Sequence, residues 1–248
     1  MSLAEEYGRQ LPWREWPRVL DALPPLEGRL VLDLGCAIGD QAAALAARGA
    51  RVVGVDVNEE LLAVARGRSI PRADFRQHDL RALPDLGLVA DGIWCSLTPA
   101  FFPDLPAALR SWARHLRPGG FAALVEIDDL WGHEPLGAPT RRILDAYAAE
   151  ALAAGRYDMH MGRKLGRHLE AAGFTVTASF ALEDRELSFA GPARPDVIEA
   201  WRLRLERLKP LRELCGDRFE AVRADFLACL ARLDHRCTAS VRCCVGVR

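Results

Sequence analysis

The sequence predicts an α/β domain built on a doubly wound parallel sheet, and three observations carry that expectation. Short apolar or β-branched runs alternate with helical stretches from residue 29 to about residue 129. Residues that start and stop helices stand between those runs, as crossover connections require. A glycine-containing turn follows the first run, at the place where an open parallel sheet keeps its ligand crevice.

Residues 30–34 read as a first strand, 51–56 as a second, 73–77 as a third, 91–96 as a fourth and 121–127 as a fifth. Between them, residues 40–48 are rich in Ala and Leu and stop at Gly49. Asn58 can cap a helix over 59–65, and Asp104 can cap one that reaches Leu116 and halts at Pro118-Gly119-Gly120. Strands separated by helices imply right-handed crossovers and a sheet covered on both faces. After Ile127 the rhythm changes. A loop through Trp131-Gly132-His133-Glu134-Pro135 leads to an amphipathic helix over about 141–154, then a helix over 162–172 stopped by Gly173. A sixth strand follows over 174–182, a helical region over 192–234 with breaks at Pro210 and Gly216, and a last strand over 240–247. The chain shows no internal repeat.

Length and composition bound the function. At 248 residues the chain fits one large domain with a full core and needs no disulfides or metal. A formal net charge of −1 supplies no basic field for a phosphate backbone, so nucleic acid is disfavoured as a partner. The first residues are acidic, and no apolar run approaches the ~20 residues of a membrane span, which together point to a cytoplasmic protein with no membrane association. Seven cysteines without regular spacing argue for a reducing compartment. Arginine, alanine, glycine and proline abound while lysine is nearly absent, as GC-rich bacterial coding produces.

The first strand runs into Asp33-Leu34-Gly35-Cys36-Ala37-Ile38-Gly39-Asp40. Glycine between a strand end and a helix start lets a ligand approach the backbone, although a tight turn alone has the same composition. Asp56 ends the second strand about 20 residues on, where a carboxylate can accept from ribose hydroxyls. Turn and acid together fit NAD or S-adenosylmethionine (SAM). Three features separate them. Position 37 is Ala and position 40 is Asp where the dinucleotide fingerprint needs glycine, and the Asp40 carboxylate opposes a pyrophosphate at the helix N-terminus. Asp33 adds negative charge that suits an ammonium. Asp79 and Leu80, after the third strand, can clamp an adenine by carboxylate and backbone N–H.

In these motifs, together with Val55-Asp56-Val57, His78-Asp79-Leu80 and Leu116-Arg117-Pro118-Gly119-Gly120, the sequence resembles the class I SAM-dependent methyltransferases over about Val31 to Ile127. The resemblance implies a Rossmann-like, seven-stranded sheet, mostly parallel with an antiparallel last strand, and SAM as cofactor with S-adenosylhomocysteine as product. It places Gly35, Cys36 and Gly39 along the methionine and ribose, with Asp33 organising the amino-acid end. Asp56 takes the ribose, and Val57 is carried over beside it; Asp79 and Leu80 take the adenine, and Ser96 sits near the ammonium. Ala37 departs from the family's usual glycine. The C-terminal part is similar in outline to small-molecule methyltransferases.

Segments leaving the carboxyl ends of parallel strands reach the ligand face, so residues 130–156 and 192–234, with about 1–25, are expected to form a helical cap within one domain spanning 1–248. Such a cap encloses a small acceptor, methylated at O, N or C. Cys95-Ser96-Leu97-Thr98-Pro99 replaces the Asn/Asp-Pro-Pro-aromatic stretch of enzymes that methylate nucleic-acid bases. His133 and His160 follow strands on the ligand face and are candidate bases, although a surface or capping role fits either. Trp13 and Trp131, in the cap segments, are candidate acceptor contacts. The group His235, Cys237, Cys243 and Cys244 matches no zinc spacing and reads as buried thiols, so no metal is expected. Arg202, Arg204, Arg207 and Lys209 are interleaved with Glu199 and Glu206 and read as a solvated helix face. An NAD-dependent oxidoreductase and a SAM-binding protein without turnover remain as alternatives.

Overall fold

The computed structural model describes residues 2–248. Side chains of the strand runs alternate between two cores: in β1 (Leu30–Leu34), Val31 faces one, and Leu32 and Leu34 face the other. Parallel to β1 lie β2 (Arg51–Asp56), β3 (Ala73–Gln77), β4 (Ala90–Ser96) and β5 (Leu116–Asp128). A short β6 (His133–Glu134) follows, then β7 (Thr175–Leu182), β8 (Arg236–Cys237) and β9 (Ser240–Val247). The main sheet has the order β3-β2-β1-β4-β5-β9-β7, with β9 antiparallel to both neighbours, while β6 and β8 form a separate ribbon. Seven strands, mostly parallel with the last one reversed, are what the sequence led us to expect.

The helices are α1 (Leu3–Gln10), α2 (Trp16–Asp21), α3 (Asp40–Ala47), α4 (Glu59–Gly67), α5 (Leu105–Trp112), α6 (Ala138–Ala153), α7 (Leu165–Ala171), α8 (Pro195–Arg207), α9 (Lys209–Cys215) and α10 (Phe219–Leu230). Asn58 and Asp104 cap as expected, accepting from the Leu61 and Ala107 N–H groups at 3.2 and 3.1 Å. Each such cap is worth about 1 kcal/mol.

The fifth strand begins at Leu116 rather than 121, because Leu116 already pairs with Ala90 and the chain then bulges through Gly119, at φ +73°, before Phe121 pairs with Gly92. The expected break at Pro210 is present: α8 ends at Arg207, and Pro210 sits in the first turn of α9, where its missing N–H costs nothing.

The core on the second face joins Leu32, Ile93 and Leu124 to Leu105, Leu109 and Trp112 of α5 and Leu165 and Leu169 of α7. On the first face, Leu45 of α3 and Leu62 of α4 pack over Val31 and Trp94, and the same core runs on through Trp16 and Trp131 into Trp201 of α8 and Phe226 of α10. Each fully buried side chain of this kind contributes roughly 1.5–3 kcal/mol. The C-terminal helices therefore share a core with the sheet.

Candidate functional site

The carboxyl ends of β1, β2 and β4 converge on the turn that sequence singled out. Gly35, Ala37 and Gly39 all take positive φ, at +81°, +46° and +77°. A Cβ on Gly35 would fall 2.1 Å from Thr98 Oγ1, and one on Gly39 would meet the Phe75 ring at 2.9 Å, so neither position accepts a side chain. Ala37 holds a left-handed conformation despite its methyl group, at a cost of order 1 kcal/mol.

Asp56 fixes this turn from the end of β2. Its Oδ2 accepts from the Ala37 N–H and its Oδ1 from the Asn58 N–H, both at 2.9 Å. Each oxygen keeps a lone pair for a further donor. Val57 beside it is exposed, and its carbonyl accepts from Gln77 Nε2.

Asp33 lies buried in β1, and its Oδ2 has no hydrogen-bond partner. Burial first, then the charge of Asp56, pushes its carboxyl up to about 8, and the Ala42 N–H in the first turn of α3 offsets this only in part. A carboxyl held at about 8 favours its protonated form at neutral pH. Cys36, buried beneath the turn, has its thiol pushed far up by burial and by Asp33, so it is a packing residue rather than a nucleophile.

Asp79 is exposed after β3, and its Oδ1 accepts from the Arg81 N–H at 2.9 Å. The neighbouring Leu80 is buried, and its carbonyl accepts from Trp112 Nε1 at 2.9 Å. Ser96 ends β4, with Oγ accepting from Trp94 Nε1 at 3.2 Å. The residues nominated from sequence thus stand at the carboxyl ends of β1 to β4, on one edge of the sheet.

Other expectations change. His133 is no base on an open face: it is fully buried among Trp201, Phe226 and Phe189, and its Nδ1 lies 3.1 Å from Nε2 of His235. Burial, with the charge of His235, pulls its ring down to about 3. His160 is part-exposed, 3.8 Å from Asp129. The arginine run on α8 is only partly a solvated face. Arg202 pairs with Glu199 and Glu206 outside, but Arg204 turns inward to the buried Glu186 at 2.6 Å. Asp40 does not stand as a free charge at the start of α3, because Arg68 pairs with it at 2.6 Å. Cys243 and Cys244 do face opposite cores.

Sequence reasoning passed over α1. Its Ser2 and Glu5 form a reciprocal capping box, a signal readable as S-x-x-E. The helix lies against the turn, with the Cβ position of Gly8 3.9 Å from Ile38. It is held to α8 by Glu6 on Arg207 and to the turn at Glu186 by Gln10, and Arg14, just beyond the helix, pairs with Glu186 as well, contacts that no local pattern announces. Two open clefts, of about 270 Å³ between α6 and α9 and about 460 Å³ at the amino ends of β1 to β3, lie away from this crevice.

Sheet order and the reversed last strand make a Rossmann-like, mostly parallel seven-stranded sheet with the glycine turn after its first strand. Residues 31–120 match a methyltransferase domain family. Within the sequence, 43% of the chain is 39% identical to 42% of a trans-aconitate 2-methyltransferase of Azoarcus sp. (strain BH72). The chain spans about half the length of the curated relatives it matches. Among solved structures, a SAM-dependent methyltransferase from Mesorhizobium loti superposes with a TM-score of 0.55 at 21% identity, covering 94% of this chain and 97% of that one. The [4+2]-cyclase SpnF superposes at 0.60 with 19% identity, covering 94% and 78%. Among the described residues no helix is long and apolar enough to cross a membrane.

Proposed function

We propose that the chain is an enzyme that binds SAM in the crevice at the carboxyl ends of β1, β2 and β4 and transfers its methyl group to a small-molecule acceptor beneath the cap. The observation that carries this is the pairing of a side-chain-free turn, held on Asp56, with the unpartnered, buried Asp33 carboxyl. A buried acid without a partner is costly, and an ammonium beside it removes the cost. A pyrophosphate brings no cation to the unpartnered Asp33 carboxyl, so NAD leaves the cost of burying that acid in place, while Arg68 already pairs with Asp40.

In this assignment Asp33 receives the methionine ammonium with Ser96 nearby. Gly35, Cys36 and Gly39 give the backbone approach, Asp56 and Val57 hold the ribose, and Asp79 with the Leu80 N–H holds the adenine. Bound SAM supplies an already activated methyl carbon, so the chain's task is to align the acceptor and exclude water. The N-terminal segment, residues 130–156 and residues 192–234 form the roof. The acceptor trans-aconitate in a relative's name supports a small acceptor.

The cyclase neighbour shows that this fold carries other chemistry, and binding and turnover are tested separately for that reason. Calorimetry is expected to show binding of SAM and S-adenosylhomocysteine and none of NAD. Methyl transfer is scored as S-adenosylhomocysteine released over a panel of small acceptors. NAD binding in place of SAM would overturn the assignment, and SAM affinity without transfer to any acceptor would leave a binding protein.

A further inference from the structure

Arg204 is the feature that neither packing nor the cofactor explains. Its Nη2 is committed to Glu186, a fully buried carboxylate that also receives Arg14, and its guanidinium lies 5.1 Å from the Trp201 ring centre. Its Nε is buried and has no partner. Trp131 packs on the same Trp201 ring at 6.0 Å, and its indole Nε1 is likewise buried and unpaired. Trp16, packed on Trp94 whose own N–H reaches Ser96 at the end of β4, carries a second unpaired indole N–H, the third donor of the set. All three belong to the core that joins the cap to the ligand side of the sheet, or pack against it.

These unpaired groups are all donors. An unmade buried hydrogen bond leaves its donor desolvated without return, so such a set fits a partner rich in acceptor oxygens. The acid of this interior is already used: both oxygens of Glu126 take backbone N–H groups, from Ala100 and Ile127. Tyr157 shares this interior, its hydroxyl raised by burial and by Glu126 and lowered by Arg204. Arg14 is spent on Asp184 and Glu186, which leaves the Nε–H of Arg204 as an unpaired guanidinium donor on α8, with Arg9 Nε and Nη2 unpaired on α1.

The geometry points to an acceptor that carries a carboxylate, held by the Nε of Arg204, the residue that shares the Trp201 ring with Trp131; this rests on the methyltransferase reading above. Glu186 orients the guanidinium and Arg204 positions the acid, while the methyl group goes to whichever atom of the acceptor is then presented to the sulfonium carbon.

Acetate and its neutral counterpart acetamide are small enough to enter any space that admits such an acceptor. Ligand-observed NMR with S-adenosylhomocysteine present, at constant ionic strength, compares the two. The parent is expected to bind acetate saturably and acetamide about tenfold more weakly or less. Arg204→Lys keeps the charge and the pairing with Glu186. The double variant Arg204→Gln with Glu186→Gln replaces the ion pair by a neutral one, and its melting temperature and S-adenosylhomocysteine affinity verify that it is folded. Loss of the acetate preference in the double variant, with cofactor affinity kept, supports the assignment. Absence of acetate binding, equal binding of acetate and acetamide by the parent, or a preference surviving in the double variant overturns it. Inorganic phosphate binding more tightly than acetate overturns the carboxylate in favour of a phosphate. Failure of the parent to bind S-adenosylhomocysteine at all would instead strike the cofactor reading, and it is seen before any acetate is added.

Discussion

Asp33→Asn isolates the cost of a buried acid. The folded protein holds this carboxyl protonated up to about 8, whereas the unfolded chain releases the proton at its ordinary 3.8. Between these values the unfolded state binds fewer protons, so the parent loses stability as pH rises through that window. At pH 7 the loss is about 4 kcal/mol, from 1.36 kcal/mol for each pH unit above 3.8. The amide removes the titration but brings its own unpaired N–H, at about 1–3 kcal/mol, so the net gain at one pH is smaller than that ceiling. The amide term cancels when two pH values are compared. Urea denaturation of parent and variant is therefore expected to show the advantage of Asn growing by about 3 kcal/mol between pH 5 and pH 7. The same proton reports on the ligand. Calorimetry at pH 7 in buffers of different ionisation enthalpy should find close to one proton released when SAM binds the parent and none when it binds the variant. An advantage that stays constant from pH 5 to pH 7 would show that Asp33 is ionised in the free protein, and the argument for an ammonium at this position would fall with it.

Asp56→Ala removes both the brace on Ala37 and the ribose acceptor, and is expected to weaken SAM by about 1.5–3 kcal/mol in calorimetry; unchanged affinity would take Asp56 out of the site. Asp79→Asn keeps an oxygen for the Arg81 N–H, so the melting temperature should hold while SAM affinity falls, and parent-like binding would move the adenine elsewhere. His133, held down to about 3, opposes folding as pH drops below its ordinary 6.5. The His133→Gln variant should therefore lose about 2 kcal/mol less than the parent between pH 7 and pH 5, and identical losses would mean that His133 stays neutral in both states. Hydrogen exchange with and without S-adenosylhomocysteine should add protection in α1 and α8 as well as around Gly35 and Asp56, whereas protection confined to the turn would separate the cap from the ligand.

What the sequence made legible was local. The alternation in Leu30–Leu34, the caps Asn58 and Asp104, and the glycines of the turn each act within a few residues, and their structural consequences follow from composition alone. The state of Asp33 was not legible, since α3 and Asp56 together create the burial that protonates it. Arg204 had the spacing of a surface helix, and Glu186, 18 residues away on a loop, turns it inward. His133 meets His235 across 102 residues, a contact set by the β6–β8 ribbon and by no motif.

The place of β9 between β5 and β7 bears on how the chain folds as it leaves the ribosome. Strands β1 to β5 pair in parallel using only sequence already made, and can assemble once their helices emerge. In the finished sheet β7 touches no strand but β9, which is synthesised about 60 residues later. Until then the backbone N–H and C=O groups of β5 and β7 that β9 will pair are open, and a strand edge of that kind invites wrong partners. The C-terminal half is thus expected to be the interval in which a chaperone is most useful, and substitutions in β9 should lower soluble yield more than their effect on the melting temperature of the folded protein would suggest.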